Sequence, residues 1–248
     1  MNNFVVILLM LGSYFFGNIS WALIISKLKK QDIRTMGSGN PGTLNMSRNF
    51  GLKLGLLTFF LDVLKGAIPV FVAFLLTRNY QIPNCSFRVY DFTIYACGLL
   101  AVLGHIYPVF LKFKGGKGIA STIGVFITCT SIHGLSWAAV SIMAIVCALL
   151  FIYFTEVGSM GSFIAITPPA IAESIRLFVE YAMMENQIFC VSFYIVTNMF
   201  IFLICFFTWF AHRKNIERML AGEEHPTSIK SMIIKAKAKK LAEKNKDK

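Results

Sequence analysis

The sequence predicts an all-α polytopic membrane protein with about seven transmembrane helices, an external N-terminus and a cytoplasmic C-terminus. Of the 248 residues, 56% are hydrophobic and only 15% are charged, which is too little charge to coat a soluble domain. Apolar runs of about 17–25 residues, the length of a helix that crosses a bilayer, recur along the chain. Lys and Arg are concentrated in alternate loops between these runs.

Each predicted span corresponds to one apolar run. The first is too long and too weakly basic at its start for a cleaved signal, and Gly12, Gly17 and Asn18 suit packing against other helices. The fourth is short enough to be a tilted or partial span. The sixth contains Pro168 and Pro169, which we expect to kink or break it. The seven runs cover residues 4–25, 54–76, 92–111, 118–130, 135–154, 159–177 and 188–211.

The distribution of Lys and Arg predicts the orientation. Of these 24 residues, Lys65 lies within a span, and only Arg78, Arg88 and Arg176 fall on the side opposite the C-terminus. Loops rich in Lys and Arg stay in the cytoplasm. We therefore expect a cytoplasmic C-terminus and, with seven spans, an external N-terminus.

Residues 1–221 are predicted to form one integral membrane domain, followed by a basic cytoplasmic tail at 222–248. The tail is either a solvated helix or disordered end, or a segment attracted to anionic membrane lipid. Nucleic acid is a poor explanation for the net charge of +12, because most of it lies beside a membrane. The cysteines have no metal-ligand spacing, so we interpret all six as small hydrophobic side chains. They are Cys85, Cys97, Cys129, Cys147, Cys190 and Cys205.

The glycine-rich segment 37–48, between the first two spans, is the first candidate site. Gly37, Gly39 and Gly42 allow positive φ angles and can bring several N–H groups to one point. Such a concavity binds phosphate, and a following helix N-terminus adds its dipole. Arg48 supplies a fork of donors for two phosphate oxygens. Taken alone, the loop is equally compatible with an ordinary cytoplasmic turn.

A second segment, 104–118, again combines glycines with cations on the same predicted side. Gly118 stands where a Walker A loop requires Ser or Thr, so the segment does not predict an NTPase. His105 alone is compatible with a helix-end histidine bonded to a carbonyl, but beside this run we interpret it as part of a site. Two further polar turns on that side contain Thr155, Glu156, Gly158 and Ser159, and His212, Arg213, Asn215 and Arg218. This asymmetry predicts a site at the inner interface rather than a pathway through the bilayer.

Four segments together resemble the bacterial acyl-phosphate:glycerol-3-phosphate acyltransferases, membrane enzymes of phospholipid synthesis. The family motif Gly-Ser-Gly-Asn-x-Gly-x-Thr-Asn-x-x-Arg matches 37–48, and Gly-His-x-x-Pro-x-Phe-x-x-Phe-x-Gly-Gly-Lys-Gly matches 104–118 in full. Asp-x-x-Lys-Gly corresponds to 62–66, and His-Arg-x-Asn-Ile to 212–216. The resemblance covers nearly the whole chain apart from the tail.

Three places depart from the family pattern. Leu44 replaces the Thr before Asn45, and Val157 replaces the Tyr of Thr-x-Tyr-x-Ser. The usual Gly-Ser-Ile-Pro reads Gly-Asn-Ile-Ser at 17–20. None of these changes removes a charged residue or a histidine, so they bear on rate and substrate fit more than on the reaction class.

The resemblance implies transfer of a fatty acyl group from acyl phosphate to glycerol 3-phosphate, giving lysophosphatidate and inorganic phosphate. Acyl phosphate carries a good leaving group, so no protein nucleophile is required, and positioning with charge neutralisation supplies the acceleration. The acyl chain would lie between helices in the bilayer. The resemblance also places the enzyme in the bacterial inner membrane with its site facing the cytoplasm. No metal-ligand cluster is visible in the sequence, and we expect no cofactor.

Site residues follow from the matched positions. The catalytic candidates are His105, Lys117 and His212, with either histidine handling a proton or a substrate hydrogen bond. The backbone of 37–40, with Lys117, is expected to hold the phosphate of the acyl donor. Glycerol 3-phosphate is expected to bind Arg48, Ser159 and Asn215. The full substrate-binding set is Gly37, Ser38, Gly39, Asn40, Asn45, Arg48, Gly115, Gly116, Gly118, Ser159 and Asn215.

Asp62 and Lys65 lie three residues apart on the second span and share a face. They are either a mutual ion pair that fixes helix packing or part of the catalytic machinery.

Two other functions compete with this interpretation. A transporter of a phosphorylated metabolite would place helix breaks and polar groups near the midplane, often in two repeated halves, and no repeat is visible. An acyltransferase with a thioester donor would carry His-x-x-x-x-Asp, whereas this chain has only His212 followed five residues later by Glu217.

Overall fold

The computed structural model describes residues 3–82, 85, 87–184, 187–224, 226–228, 230–231, 233–234 and 238. Regular structure in these residues is helical apart from one isolated bridge between Gln81 and Arg88, which confirms the all-α prediction. Six of the described helical segments are long and apolar enough to cross a membrane. The α-helices are α1 (Asn3–Gly17), α2 (Trp21–Leu28), α3 (Thr43–Phe50), α4 (Leu52–Thr77), α5 (Val89–Ile106), α6 (Ile119–Ile132), α7 (Leu135–Thr155), α8 (Gly158–Ala182), α9 (Gln187–Ala211) and α10 (Arg213–Leu220).

The first predicted span consists of two helices, α1 and α2, with an interruption at residues 18–20. The Asn18 side chain donates to the Tyr14 carbonyl at 2.6 Å, and the Ile19 carbonyl accepts a hydrogen bond from Lys65 Nζ at 2.7 Å. Side chains therefore satisfy backbone groups at the interruption, as a membrane interior requires.

The fourth predicted span, residues 118–130, is a short helix. α6 has 14 residues, or about 21 Å at 1.5 Å per residue, whereas the hydrocarbon core is about 30 Å thick. It packs against α4, α7 and α8, and most of its side chains are buried. α6 is thus a partial-length helix enclosed by longer ones, one of the two forms that its sequence predicted.

Glycines set the contact between α4 and α6. A Cβ added at Gly66 would overlap the carbonyl of Ser121, and one at Gly124 would overlap the carbonyl of Val63. The two helices therefore touch backbone to backbone, each helix supplying one glycine.

α1 packs on α5 in the same way. A Cβ at Gly17 would overlap the Ala101 carbonyl, and one at Gly104 would overlap the Tyr14 carbonyl. The predicted packing role of Gly17 is therefore confirmed. The same prediction for Gly12 is wrong, because a Cβ there meets no atom of the described residues within 4 Å.

The sixth predicted span, residues 159–177, is not broken by its prolines. α8 continues through both Pro168 and Pro169, and Pro169 is buried. Helices α6, α7 and α9 pack against α8, a setting in which prolines are tolerated within membrane helices.

A buried polar cluster lies near the first turn of α5, at the end of the bundle away from the glycine-rich loops. Arg176 Nε lies 2.8 Å from Glu173 Oε2, and its Nη1 lies 2.7 Å from Glu180. Tyr95 donates to Glu173 at 2.7 Å, and Asp91 lies 3.8 Å from Arg176. Arg176, predicted to lie on the side opposite the C-terminus, is buried within α8, where these carboxylates compensate its charge.

A disulfide joins Cys85 and Cys190, whose Cα atoms are 5.5 Å apart. It connects the segment before α5 to the first turn of α9. The interpretation of the cysteines as small hydrophobic side chains is therefore wrong for these two. Cys97 and Cys129 are buried thiols, as that interpretation predicted.

Candidate active site

Three predicted site residues from distant segments meet at one end of the bundle. Lys117, just before α6, donates from Nζ to Asn215 Oδ1 at 2.7 Å. Asn215, in α10, donates from Nδ2 to Ser159 Oγ at 3.0 Å. Ser159 is in the first turn of α8 and is 2% exposed. The structure therefore assembles a cation, an amide and a helix N-terminus into one hydrogen-bonded cluster.

The surroundings of Lys117 make its charge easy to lose. Burial, with a smaller contribution from the charges of Arg218 and Arg48, lowers the pKa of Lys117 to about 8, and the charge of Glu224 partly opposes this shift. The ammonium is still mostly protonated at neutral pH. A half-buried cation surrounded by other cations is well suited to bind an anion.

Asn45 holds the first glycine-rich loop from within. Its side chain is 2% exposed, accepts from the Ser38 N–H at 3.2 Å and donates to two carbonyls of the preceding turn at 3.0 and 3.2 Å. Gly37 and Gly39 take φ angles of 55° and 69°, which favour glycine. Asn45 therefore shapes the loop, and contacts of Gly37, Ser38, Gly39, Asn40 and Asn45 with substrate stay predictions.

Arg48 lies on α3, the helix that begins directly after this loop. Its side chain is exposed, and Nη2 donates to the Pro226 carbonyl at 3.4 Å. The guanidinium thus lies against the segment that follows α10 and retains donors for an anion.

The second glycine-rich loop folds back onto the end of α5. The N–H groups of Gly115 and Gly116 donate to the carbonyls of Ile106 and His105, both at 3.1 Å. A Cβ at Gly115 would overlap the His105 carbonyl, and one at Gly116 would overlap the His105 ring. These two glycines permit close packing and use their N–H groups within the protein. Substrate contacts of Gly115, Gly116 and Gly118 stay predictions.

His105 lies beneath this loop beside Asp62 and Lys65. Its Nδ1 is 3.8 Å from Asp62 Oδ1, which is 3.1 Å from Lys65 Nζ. All three side chains are buried. The geometry favours the first of the two interpretations of Asp62 and Lys65, an ion pair that fixes helix packing.

His212 follows α9 and is 4% exposed. Its Nδ1 lies 2.9 Å from the Thr208 carbonyl; because a carbonyl only accepts, Nδ1 carries the proton. Burial lowers the pKa of His212 to about 4, partly opposed by the Thr208 bond and assisted by the charge of Lys117. The ring is therefore neutral at neutral pH, with Nε2 as a hydrogen-bond acceptor.

Glu224 belongs to this site but was missed by sequence reasoning. Its Oε1 accepts from the Ser159 N–H at 2.9 Å and from Ser159 Oγ at 2.5 Å. It falls within the predicted tail at 222–248, and nothing in the local sequence distinguishes it from Glu223. Of residues 235–248, all except 238 lie outside the described residues. The two interpretations of the tail therefore stay predictions.

An apolar groove of about 720 Å³ runs between α8 and α9. Phe202, Phe206 and Trp209 line it, and Arg213 lies at the end near α10. Trp209 packs against Phe163 with ring centroids 5.0 Å apart, and Phe163 packs against His212 at 5.6 Å. One aromatic ring therefore separates the groove from His212.

Known proteins share both the sequence and the fold. A family model described as glycerol-3-phosphate acyltransferase matches residues 7–222. Proteins of that name from Mycoplasmopsis pulmonis and Aquifex aeolicus are 35% and 36% identical over 90% and 88% of this chain and 96% of their own lengths. Crystal structures of PlsY (YgiH), an integral membrane glycerol 3-phosphate acyltransferase, in its glycerol 3-phosphate and lysophosphatidic acid forms, match with TM-scores of 0.67 and 0.66. Both are 32% identical and cover 90% of this chain and 95% of their own. This chain belongs to the glycerol-3-phosphate acyltransferase family.

Proposed function

We infer that this chain is a membrane acyltransferase that esterifies glycerol 3-phosphate with a fatty acyl group to give lysophosphatidate. The observation that carries this inference is the hydrogen-bonded cluster of Lys117, Asn215 and Ser159 at the N-terminus of α8. Ammonium, amide and helix N-terminus are groups that bind a phosphate. Family membership supports the same acceptor.

We propose acyl phosphate as the donor. The acceptor hydroxyl oxygen bonds to the acyl carbon, the bond between that carbon and the phosphate oxygen breaks, and the hydroxyl proton leaves with inorganic phosphate. Because phosphate is a good leaving group, the step needs no covalent enzyme intermediate. Cationic groups that neutralise the departing phosphate stabilise the transition state.

The two phosphates are assigned to neighbouring parts of the cluster. Residues 37–40 and Lys117 would hold the donor phosphate, and Arg48, with Ser159 and Asn215, the acceptor phosphate. Lys117 already contacts Asn215 at 2.7 Å. Its ammonium would therefore lie between the two phosphates and bring the reactants together.

Of the two histidines, His212 better suits a contact with the acceptor. It is neutral, its Nδ1 proton is committed to Thr208, and its Nε2 can accept a hydrogen bond from a glycerol hydroxyl. Such a bond would aim the hydroxyl oxygen at the acyl carbon. His105, whose ring lies against Gly116 of the second loop, would instead support the position of Lys117.

The groove between α8 and α9 is our candidate for the acyl chain. It is apolar along its length, ends beside Arg213, and is one ring away from His212. A chain in this groove would lie within the bilayer while the acyl carbon reaches the polar cluster.

We also propose that the cluster faces the cytoplasm of a bacterial inner membrane. The loops at this end carry most of the Lys and Arg. The Cys85–Cys190 disulfide lies at the other end, and disulfides persist in oxidising compartments outside the cytoplasm.

Donor choice tests the function directly. Purified protein would be given glycerol 3-phosphate with acyl phosphate, acyl-CoA or acyl carrier protein in parallel, and lysophosphatidate and inorganic phosphate would be measured. We expect both products, in equal amounts, from acyl phosphate alone. If product formed only from acyl-CoA or acyl carrier protein, the donor would be a thioester and not acyl phosphate. If no donor gave product, the proposed function would be wrong.

A further inference from the structure

Glu224 is connected to Lys117 through a chain of directed hydrogen bonds. An ionised carboxylate can only accept hydrogen bonds, so the Ser159 hydroxyl uses its single proton to donate to Glu224 Oε1. Ser159 Oγ then accepts from the Asn215 Nδ2 group. The amide therefore presents Oδ1 to the ammonium of Lys117. Asn215 Oδ1 also accepts from Arg218 Nη2 at 3.0 Å, so the carboxylate at one end of this chain and the two cations at the other require the same direction for every bond.

The segment that carries Glu224 is anchored over the start of α8. The Thr227 N–H donates to the Glu156 carbonyl at 2.8 Å, and Thr227 is 4% exposed. A Cβ at Gly158 would come within 2.6 Å of Thr227 Oγ1. The Ser159 N–H that Glu224 accepts lies in the first turn of α8, where the helix dipole favours a negative charge. Several independent contacts thus hold this carboxylate in place.

Arg48 contacts the same segment through the Pro226 carbonyl. The segment therefore contacts both groups that we assign to the acceptor phosphate, Arg48 and Ser159. Glu224 is the acidic group that raises the pKa of Lys117, while Arg218 and Arg48 lower it. Among the described residues, His212 is a further titratable neighbour of Lys117, and it is neutral at neutral pH.

We propose that Glu224 is a positioning residue for acyl transfer: through Ser159 and Asn215 it orients the ammonium of Lys117 toward the substrate phosphates. This role rests on the proposed function. Glu224 does not contact the reacting atoms. Together with Arg218, which also donates to Asn215 Oδ1, it keeps the carboxamide of Asn215 in one of its two orientations, and its charge helps Lys117 to stay protonated.

The test compares the wild type with Glu224→Gln and a matched control, Glu223→Gln. Both variants remove one negative charge from adjacent positions, but the side chain of Glu223 is exposed. The first readout does not require activity: competitive labelling of the Lys117 amine with acetic anhydride across a pH series, quantified by mass spectrometry. We expect a labelling midpoint near the Lys117 pKa of about 8 in the wild type and in Glu223→Gln. In Glu224→Gln we expect a lower midpoint, because the carboxylate that raises this pKa is gone.

The second readout is steady-state kinetics with acyl phosphate and glycerol 3-phosphate. Glu224→Gln should raise the apparent KM for glycerol 3-phosphate several-fold and lower kcat, whereas Glu223→Gln should match the wild type. If Glu224→Gln does not accumulate, Glu224→Asp retains the charge but shortens the reach. It should keep the labelling midpoint and still raise KM.

The outcomes separate the two claims. An inactive wild type with a Glu224-dependent midpoint at Lys117 would overturn the proposed function and leave the hydrogen-bonded chain supported. An active wild type whose Glu224 variants keep both the midpoint and the KM would overturn the positioning role. Lower thermal stability in detergent with unchanged kinetics would also overturn it, since a purely structural anchor would behave in that way.

Discussion

Lys117 shows how burial changes the chemistry of a single side chain. An exposed lysine keeps its charge well above physiological pH, but burial lowers the pKa of Lys117 to about 8. Its nearest partner in the cluster is the neutral amide of Asn215 at 2.7 Å. The side chain therefore stands ready to bind an anion.

The alkaline limb of the pH profile should report this lysine. Because a lysine with a lowered pKa loses its charge as pH rises through that value, kcat/KM for glycerol 3-phosphate should fall above about pH 8. Phosphate monoesters, with a second pKa near about 6, are already dianionic there. Lys117→Arg should move the fall to higher pH, since guanidinium stays charged. Lys114→Arg, an exposed neighbour, is the control, and a fall near pH 8 that persists in Lys117→Arg would exclude Lys117 as its source.

Removal of the charge altogether should have a larger effect. A charge-assisted hydrogen bond contributes about 1.5–3 kcal/mol, and about 1.4 kcal/mol is a factor of ten in rate. Lys117→Ala should therefore lower turnover by at least about tenfold at matched amounts of membrane protein. Wild-type turnover in this variant would contradict a role of Lys117 in neutralising phosphate.

A substitution at Arg48 would distinguish between the two phosphate sites that we propose. The planar fork of Arg48 can hold two phosphate oxygens, whereas Lys keeps the charge but not this geometry. Arg48→Lys should raise the apparent KM for glycerol 3-phosphate much more than that for acyl phosphate. Kinetics with each substrate varied in turn would check this, with thermal stability as the control for folding. A rise confined to the acyl donor would reverse our assignment of the two sites.

At the scale of helices, glycine backbones decide how closely α4 and α6 approach. α6 is too short to span the membrane by itself, so its place depends on the helices around it. Gly66 and Gly124 let it lie directly on α4. Because Lys117 lies just before α6, the contact between α4 and α6 also helps to set the position of the second glycine-rich loop.

A methyl group at this contact should weaken the bundle. Gly124→Ala would push a Cβ into the Val63 carbonyl, and overpacking of this kind costs about 1–3 kcal/mol. We expect the Tm in detergent to fall by at least about 2 °C. Gly12→Ala is the matched control, since a Cβ there meets no described atom within 4 Å. Equal Tm values for the two variants would show that α4 and α6 do not need this close contact.

At the scale of the whole molecule, the chain has two chemically different ends. Cations and glycines surround the Lys117 cluster at one end. The other end holds the Cys85–Cys190 disulfide and the buried Glu173–Arg176 pair. Helices that alternate in direction bring segments far apart in sequence to the same end. The end that carries the proposed binding site therefore differs chemically from the end that holds a disulfide and a buried ion pair.

Labelling of introduced cysteines would test which end is cytoplasmic. In intact cells, an impermeant thiol reagent should reach a cysteine in Arg88→Cys but not in Ser38→Cys or Ser228→Cys. Arg88 and Ser38 are both exposed, so accessibility within the fold does not account for the difference. The parent protein without an added cysteine gives the background. Labelling of Ser38→Cys from outside would reverse the orientation and move the site out of the cytoplasm.

The sequence by itself determined the fold class, the approximate spans and the segments that we propose as the site. These depend on local properties: a run long and apolar enough for a bilayer, and glycines beside cations in one loop. The short α6 was foreseen because helix length follows directly from residue count. Lys117, Ser159 and Asn215 could be named because each lies in a short continuous segment that resembles a motif of the family.

Only the tertiary structure decided which of these groups touch one another. Glu224 lies 65 residues from the Ser159 that it holds, and Cys85 lies 105 residues from Cys190. No local pattern encodes either pairing, because each depends on how whole helices pack. Packing also decides the role of Gly115 and Gly116, because their N–H groups donate to carbonyls at the end of α5. Composition predicts what a segment can bind, whereas the packed backbone determines which donors are still free to bind it.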